Sequence, residues 1–387
     1  MENKVSILIL NYNSWEDTLE CLESVTRLHY PSYEIIVCDN LSSNNSMEHI
    51  KAWAEGKETP PHLSPQLEDY LLPLTPKPIP YVFYTREKAL QGGDKEKENT
   101  TFSPTLPRLI LIQNDRNEGF SEGNNLMMRY VLSQGTSTFL WLLNNDTVVH
   151  PLSLSEFVQK AREYPQGCMI GSKTLLYEKP DLVYTLAGGT IDSRYSTHWI
   201  DFGKSQEEAT SEENVKPDFI TGSSCFLSLK TLKRIGLLPD GYFMYYEDVD
   251  WALRAKNAQI PLLYASKSII WHKKGILHEA STPSRRQIKI FSKTISWPDI
   301  ADSLMDYYYA PRNKIVTIKR NLAKEFSRRF VSYFLAWLFR WSLLILLFQD
   351  HKIARLSLLW RAFFDALTNR LGKTLDLEKW KRRYTSL

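Results

Sequence analysis

The chain has 387 residues, 43% of them hydrophobic and 24% charged, with 16 Gly and 19 Pro, which excludes a collagen-like chain, a wholly disordered chain and a polytopic transporter. This length gives two or three structural units, with core enough to need no disulfide staple. Net charge is only +4, yet residues 312–387 hold 17 Lys and Arg against 5 Asp and Glu, a local +12 that leaves −8 for the rest and points to an anionic partner at that end.

Cys21, Cys38, Cys168 and Cys225 are scattered with no C-x-x-C pair, so neither a zinc knuckle nor a disulfide framework is indicated and a reducing compartment is the simplest reading. Met1 to Lys4 run into the apolar stretch Val5–Leu10 without a basic n-region or cleavage site, so the catalytic part is expected to stay in the cytoplasm.

Val5 to Leu10 reads as a buried strand. Leu19, Leu22, Val25 and Leu28 follow at helical spacing, and a second strand, Tyr33 to Cys38, ends at Asp39. Residues 57–107 interrupt the alternation: nine of the 19 prolines fall at positions 60–107, and Gly92 to Glu98 is a polar, turn-rich run. This predicts an inserted surface loop, partly disordered. The pattern resumes with a strand at Leu109–Gln113, a Gly-bearing turn at Asn117–Gly123, a helix from Asn124 to about Ser133 and a strand at Thr138–Leu143. A helix (Leu152–Tyr164), strand-like pieces (Cys168–Tyr177 and Phe219–Ser228), a helix from Val249 to about Asn257 and another strand-like piece (Leu262–Ile270) complete residues 1–320. Such alternation predicts an α/β domain, with helices on both faces of a mostly parallel, Rossmann-like sheet.

Residues 321–387 differ in kind. Phe330 to Phe348 is apolar over about the length of a bilayer span, but Arg340 in its middle costs ~2.5–3.5 kcal/mol on insertion scales. Lys352 to Leu371 sets Ile353, Leu356, Leu359, Phe363 and Leu367 at helical spacing, with Lys352, Arg355, Arg361 and Arg370 between them. A basic amphipathic helix lying in a membrane plane is expected; a pair of core helices or a dimer interface is the alternative.

In a doubly wound sheet, ligands lie outside the carboxyl ends of the strands. Asn11 and Asn13, Asp39, Asn114 with Asn117–Asn125, and Asn144-Asn145-Asp146 occupy those places. Each alone is an ordinary turn or capping residue; together they describe one polar crevice. No P-loop and no G-x-G-x-x-G follow the first strand, which disfavours a P-loop phosphotransferase and a typical NAD enzyme. A nucleotide here would need its base held by side chains such as Asp39 and its diphosphate neutralised by a metal, for which Asp146 is a suitable hard ligand to Mg²⁺ or Mn²⁺. A second constellation, Phe243 to Trp251, places Glu247, Asp248 and Asp250 after an aromatic run; crowded, shielded carboxylates have raised pKa values suited to a general base, although acidic capping of a helix explains one of them. His272, in Trp271-His272-Lys273-Lys274-Gly275, is by itself more often a structural hydrogen bonder.

In order, VSILILNYNS, VCDNLSSNNS, NEGFSEGNN, WLLNNDTVV, FITGSSCFLS, GYFMYYEDVDWALRA, WHKKG and YYYAPRN resemble the inverting family 2 glycosyltransferases, in particular rhamnosyltransferase-like members that build bacterial cell-surface polysaccharides. The resemblance spans most of residues 5–320 and leaves out the insertion and the tail. It implies an A-type glycosyltransferase fold and a nucleotide-diphosphate sugar donor, with a dTDP-linked deoxyhexose such as rhamnose favoured. Asp39 then matches the acid that holds the base, with Asn11 and Asn13 at the pocket edge and Asn117, Gly119, Asn124, Asn144 and Asn145 in the donor site. Asp146 matches a ligand of the divalent cation and His272 a further one. Asp248 matches the catalytic base, paired with Glu247, while Gly222, Asp250, Trp251 and Arg312 are expected at the acceptor side or in another role in the site, Arg312 as part of a subfamily signature with Asn313. Asn144 departs from the family's acidic motif, which argues for weak metal affinity and gives a catalytically silent binding subunit its one support. The implied partners are a glycan or lipid-linked saccharide acceptor and an anionic membrane surface met by residues 330–387, at the cytoplasmic face of the plasma membrane, with no nucleic acid.

Overall fold

The computed structural model describes residues 3–101, 107–193, 195–273, 286–290, 293–297, 307–349, 351–376 and 380. Lys274 and Gly275 of the expected motif, residues 102–106 of the insertion and residues 381–387 of the tail lie outside them.

The first half contains β1 (Val5–Asn11), α1 (Trp15–Val25), β2 (Tyr33–Asp39), α2 (Ser46–Ala54), α3 (Glu68–Leu71), β3 (Tyr81–Thr85), α4 (Arg86–Leu90), α5 (Lys95–Thr101), β4 (Arg108–Gln113), α6 (Gly119–Gln134), β5 (Phe139–Asn144), β6 (Thr147–Val149) and α7 (Ser153–Arg162). There follow β7 (Met169–Leu176), β8 (Lys179–Leu186), β9 (Gly188–Ile191), β10 (Thr197–Trp199), β11 (Phe219–Ile220), β12 (Ser224–Ser228), α8 (Leu229–Ile235), α9 (Glu247–Asn257), β13 (Leu262–His272), the hairpin β14 (Arg286–Ile290) and β15 (Lys293–Trp297), α10 (Tyr309–Asn321), α11 (Ala323–Arg329), α12 (Ala336–Phe348) and α13 (Lys352–Leu367).

The main sheet runs β3-β4-β2-β1-β5-β12-β7-β13-β6, with β8 beside β7. Strands β3, β4, β2, β1 and β5 are parallel neighbours, as the alternation predicts, and the antiparallel β12 then joins β5 to β7. Two apolar layers sandwich the sheet: Leu8, Ile36, Ile110, Leu140 and Met127 on one side, Ile7, Ile9, Val37, Trp53, Trp141 and Phe157 on the other. Alternate residues of one strand serve opposite layers, as the two-residue period of a strand requires. All four cysteines are buried and free.

The insertion departs from the expected loop. It carries β3, a parallel edge strand on β4, and its Leu67, Leu71, Val82 and Ala89 are buried in the core. Buried carboxylates hold it: Glu23 accepts from Thr75 N (2.8 Å), Lys77 Nζ (2.8 Å) and Trp53 Nε1 (2.7 Å), and Glu98 from Tyr84 OH (2.9 Å), Tyr130 OH (2.7 Å) and Arg108 Nη2 (2.8 Å). Composition misleads here because proline punctuates the segment while a few apolar residues and two buried acids, Glu23 on the distant α1 and Glu98 within the segment, supply its order.

The C-terminal helices are packed, in part as the core-helix alternative has it. Phe334, Leu338, Ile345, Leu358, Leu359 and Phe363 bury against Tyr307, Tyr308, Tyr309 and Ile315 in a third cluster that continues to Tyr242 and Phe243. Arg355 and Arg361, expected on a polar outer face, turn inward: Arg355 Nη1 donates to Tyr307 OH (2.9 Å) and Arg361 Nη2 to Thr374 O (2.7 Å). Outside the cluster, Phe339, Leu343, Leu346, Leu347, Ile353 and Phe364 are each about half exposed or more. Among the described residues no helix is long and apolar enough to cross a membrane.

Candidate functional site

Register sets the floor of the site. Asn11 pairs with Asp39, Asp39 with Gln113, and Leu10 with Asn144, so the carboxyl ends of β1, β2, β4 and β5 finish level. Asp39 is buried, and its carboxylate accepts from Asn11 Nδ2 (2.6 Å), Ser42 Oγ (2.5 Å), Ser42 N (3.0 Å) and Gln113 Nε2 (2.8 Å). These four donors fill the lone-pair positions a carboxylate offers, so a ligand reading Asp39 must displace Ser42 or Gln113. Asn13, in left-handed conformation (φ 52°), brackets the same turn: its amide N donates to Ser42 Oγ (2.8 Å) and its Oδ1 accepts from Ser43 N (2.7 Å). Asn145 turns inward, donating to Thr18 Oγ1 (2.9 Å) and Ser14 O (3.2 Å), and Thr18 in turn donates to Asn11 Oδ1 (2.9 Å). Asn145 therefore braces Asn11.

On the other flank, Asn40 Nδ2 donates to Asn117 Oδ1 and to Gly119 O (both 3.1 Å), and Arg86, from the insertion, bridges Asn114 Oδ1 (2.8 Å) and Glu118 Oε2 (2.7 Å). Asn124 is buried and donates to Phe120 O at 3.0 Å. Gly119 opens α6 at φ 84°, and a Cβ there would meet Phe243 O at 2.0 Å, while Phe120 N donates to that same carbonyl (2.9 Å). Only glycine lets the third strand-end loop lie this close to the segment before Asp248.

The chain reverses at Asn144-Asn145-Asp146 so that β6 pairs antiparallel with the end of β13, Thr147 opposite His272. That pairing brings His272 Nε2 to 3.3 Å from Asp146 Oδ1 and 3.2 Å from Asn144 Nδ2. His272 is buried, lies against Tyr184 (5.6 Å between ring centres), and its Nδ1 has no partner among the described residues. An imidazole nitrogen and a carboxylate oxygen converging on one point are a fitting donor pair for Mg²⁺ or Mn²⁺, whose other ligands would be phosphate and water oxygens. No group of three or more His, Cys, Asp or Glu suited to a metal occurs among the described residues.

The base region is tied to this floor. Asn144 N donates to Ser223 O (3.0 Å), and Gly222, one residue earlier, donates its N–H to Asp248 Oδ2 at 3.3 Å; Val249 N donates to Oδ1 at 2.8 Å. Asp248 and Glu247 open α9, where acidic residues suit the helix N-terminus. Burial pushes the Asp248 carboxyl up to about 6, against the pull of the backbone N–H groups of Val249 and Gly222. Burial, then the charge of Asp248, pushes Glu247 up to about 8, and its Oε2 lacks a hydrogen-bond partner among the described residues. Burial thus raises both carboxyls, Glu247 further than Asp248.

Three expected acceptor-side residues stand elsewhere. Asp250 is buried between α9 and α10, taking Arg254 Nε (3.0 Å), Tyr242 OH (3.1 Å) and Asn321 Nδ2 (2.9 Å). Trp251 is buried and donates to Gly236 O (2.8 Å). Arg312 is fully buried, donating to Gly372 O (2.9 Å), Thr374 Oγ1 (3.1 Å), Gly241 O (3.2 Å) and Asn313 Oδ1 (2.9 Å). Helical periodicity explains the first, since the residue two positions after Asp248 lies on the opposite side of α9. Sequence reasoning missed Ser42, Gln113, Arg86 and Asn313; of these, Ser42 and Asn313 stood in quoted motifs.

Residues 6–64 match the family model described as Glycosyl transferase family 2. A curated relative, the low-salt glycan biosynthesis hexosyltransferase Agl10 of Haloferax volcanii, is 26% identical over 152 residues, 38% of this chain and 47% of that protein. The chain thus spans about half the length of this relative. Among solved structures it is similar to the mannosyltransferase PcManGT from Pyrobaculum calidifontis in complex with GDP-Man and Mn²⁺, at 12% identity over 70% of this chain and 57% of that one, TM-score 0.41. It is also similar to S. aureus TarS 1-349 in complex with UDP, at 14% identity over 98% of this chain and 77% of that one, TM-score 0.41.

Proposed function

We propose that the chain is an inverting glycosyltransferase that moves a hexosyl unit from a nucleotide-diphosphate donor to a hydroxyl of a saccharide acceptor. The observation that carries this is the hydrogen-bonded route from the strand-end crevice of Asn11, Asp39 and Asn144 through Ser223 to the turn that meets Asp248. The match of residues 6–64 to the family 2 model supports the same reading. The donor's base lies at Asp39, where Ser42 or Gln113 yields a hydrogen bond to it, and Asn13 closes the edge. Asp146 and His272 hold a divalent cation whose charge, when bound, offsets that of the leaving nucleoside diphosphate. Asp248 takes the proton from the acceptor hydroxyl as that oxygen attacks the anomeric carbon, and one displacement inverts the centre. Glu247, protonated beside it, keeps a second charge out of the pocket. For the donor we favour a dTDP-linked deoxyhexose such as rhamnose, and for the place of action the cytoplasmic face of a membrane, with the exposed side chains of α12 and α13 lying on its surface.

Calorimetric titration of the full chain with dTDP, UDP and GDP, each with and without Mn²⁺, tests this. Metal-strengthened binding of one nucleotide, lost in Asp39→Ala, is expected and names the base of the donor. Binding of none by folded protein would overturn the reading.

A further inference from the structure

The row of strand ends has a fifth member, contributed by the insertion. Thr85, the last residue of β3, pairs with Gln113, and Gln113 with Asp39, so β3 finishes level with the floor of the crevice. Arg86 follows at once and opens α4, where Thr85 Oγ1 accepts from Lys88 N (3.3 Å) and Ala89 is buried in the core. None of the motifs that carry the family resemblance includes this arginine.

The Arg86 side chain is largely shielded, at 17% exposure, and one of its nitrogens, Nη1, donates to two residues of the loop after β4: Asn114 Oδ1 (2.8 Å) and Glu118 Oε2 (2.7 Å). What lies beyond Asn114 gives this contact its reach. Asn114 is buried; its N donates to Asp39 O (2.9 Å) and its Nδ2 to Asn40 Oδ1 (2.8 Å), and Asn40 Nδ2 in turn donates to Asn117 Oδ1 and Gly119 O. Gln113 Nε2, which holds the Asp39 carboxylate, also donates to Asn114 O (3.2 Å). One cation therefore heads a row of carboxamides that fixes the loops on both sides of Asp39.

Charge adds to geometry. Asp115 and Glu118 set two carboxylates beside a crevice that, on the sugar-transfer reading, admits an anionic donor. Glu118 also takes Arg116 Nε (2.9 Å), but Arg116 is 61% exposed, and a surface ion pair of that kind is worth little. Shielded Arg86 is the firmer counter-charge, and its charge-assisted bonds are roughly twice as strong as neutral ones. The insertion has anchors of its own elsewhere, in buried Leu67, Leu71 and Val82 and in the bonds to Glu23 and Glu98. We propose that Arg86 is a positioning residue for the nucleotide donor, through which the insertion sets the two loops flanking Asp39 and offsets Glu118. The assignment rests on the sugar-transfer reading and deepens it, giving the inserted segment a part in donor binding.

Calorimetry of the full chain with whichever of dTDP, UDP and GDP it binds tests this, with the melting temperature of every variant measured alongside. Arg86→Gln should weaken the nucleotide roughly tenfold or more, as for lost hydrogen bonds to a charged group, and move the melting temperature little. Arg86→Lys should recover most of the loss, since an ammonium has donors enough for both oxygens. Asn114→Ala should weaken the nucleotide by a similar factor, and the double variant should lose little more than either single one, because both cut the same row. Lys77→Gln loosens the insertion at Glu23, far from this row in the chain; it should lower the melting temperature and leave nucleotide affinity unchanged. The inference is overturned by unchanged affinity in folded Arg86→Gln, by full additivity with Asn114→Ala, or by failure of Arg86→Lys to recover binding. It is equally overturned if Lys77→Gln loses as much affinity, or if Arg86→Gln does not fold, since either would make Arg86 one anchor of the insertion among several. Wild-type nucleotide binding that ignores Arg86 removes this inference alone. A folded wild type that binds no nucleotide removes the transferase reading itself.

Discussion

The carboxamide nitrogen of Asn313 donates to the carbonyl oxygen of Tyr245 at 2.9 Å, and to that of Met244 at 2.8 Å. Tyr245 and Tyr246 both hold left-handed backbone, at φ 71° and 68°, a conformation that costs a bulky residue ~1–2 kcal/mol. They lead directly into Glu247 and Asp248. One amide on α10 therefore stabilises the strained approach to the base, and Arg312 beside it ties Gly241 to the Gly372–Thr374 turn. Both side chains are fully buried.

Asn313→Ala should accordingly slow turnover without loosening the donor. It leaves two carbonyls without their donor at ~1–3 kcal/mol each, partly recovered by relaxation. We expect kcat to fall roughly 10- to 100-fold, with nucleotide affinity from calorimetry unchanged and donor KM moved little. A parallel loss of nucleotide binding would show that the whole fold, not the approach to Asp248, had given way.

Asp248 must be ionised to accept a proton, and burial sets its carboxyl at about 6. The rate at low acceptor concentration should therefore rise as pH increases through about 6. Asp248→Asn should lower kcat by roughly 10²- to 10⁴-fold and keep nucleotide binding. A variant that still turns over at the wild-type rate would remove Asp248 from the mechanism.

Glu247 links pH to stability with a definite sign. Its folded carboxyl is raised from 4.5 to about 8, so the folded chain binds the proton more tightly than the unfolded one. Between those values the native state carries the extra proton, and stability falls as pH rises, levelling off above about 8. Glu247→Gln keeps the shape without the titration. Melting temperature measured from pH 5 to 8.5 should decline less in the variant than in the wild type, and identical slopes would contradict the assignment.

The sheet and the crevice were legible because both are local. Apolar runs of strand length announced β1, β2, β4 and β5, and since each ended in, or for β4 just before, an Asn or Asp, the level carboxyl ends followed from parallel pairing alone. What escaped depends on distant partners. The edge strand β3 lies in a proline-rich stretch whose order comes from Glu23 and Glu98, residues outside or at the edge of its own apolar pattern. Asp250 and Arg312 looked chemical because charge in a motif resembles function, whereas each is an internal tie whose partners are 71 residues or more away in part. Gln113 carries no signal beyond standing at a strand end, and Ser42 stood in the quoted motif after β2 with no role attached to it.

Removing the two protein ligands of the proposed cation should separate them. Asp146→Ala and His272→Ala should each weaken the Mn²⁺-dependent part of nucleotide binding, by roughly tenfold or more, and leave the metal-free part in place. His272→Ala also leaves Asn144 Nδ2 and Asp146 Oδ1 without their shared neighbour. Paramagnetic relaxation by Mn²⁺ reads occupancy without turnover; equal relaxation in wild type and both variants would place the metal elsewhere.

The tail calls for point substitutions instead of truncation. Deleting residues 330–387 would strip Leu338, Ile345, Leu358 and Phe363 from Tyr307, Tyr308 and Tyr309 and expose a core, so loss of membrane binding by such a variant would say nothing of mechanism. Phe339, Leu343 and Leu347 are 60%, 56% and 56% exposed and lie outside that cluster, Phe339 touching its rim through an edge-to-face contact with Trp360 (5.8 Å between ring centres). Burying side chains of this size is worth ~1.5–3 kcal/mol each. Replacing all three with Ser should leave the melting temperature unchanged, or raise it slightly, and abolish co-sedimentation with anionic vesicles. Raised salt should weaken the wild-type interaction, since the surplus of Lys and Arg beyond residue 312 adds an electrostatic share. Unchanged co-sedimentation of the triple variant would assign the exposed stripe to another partner.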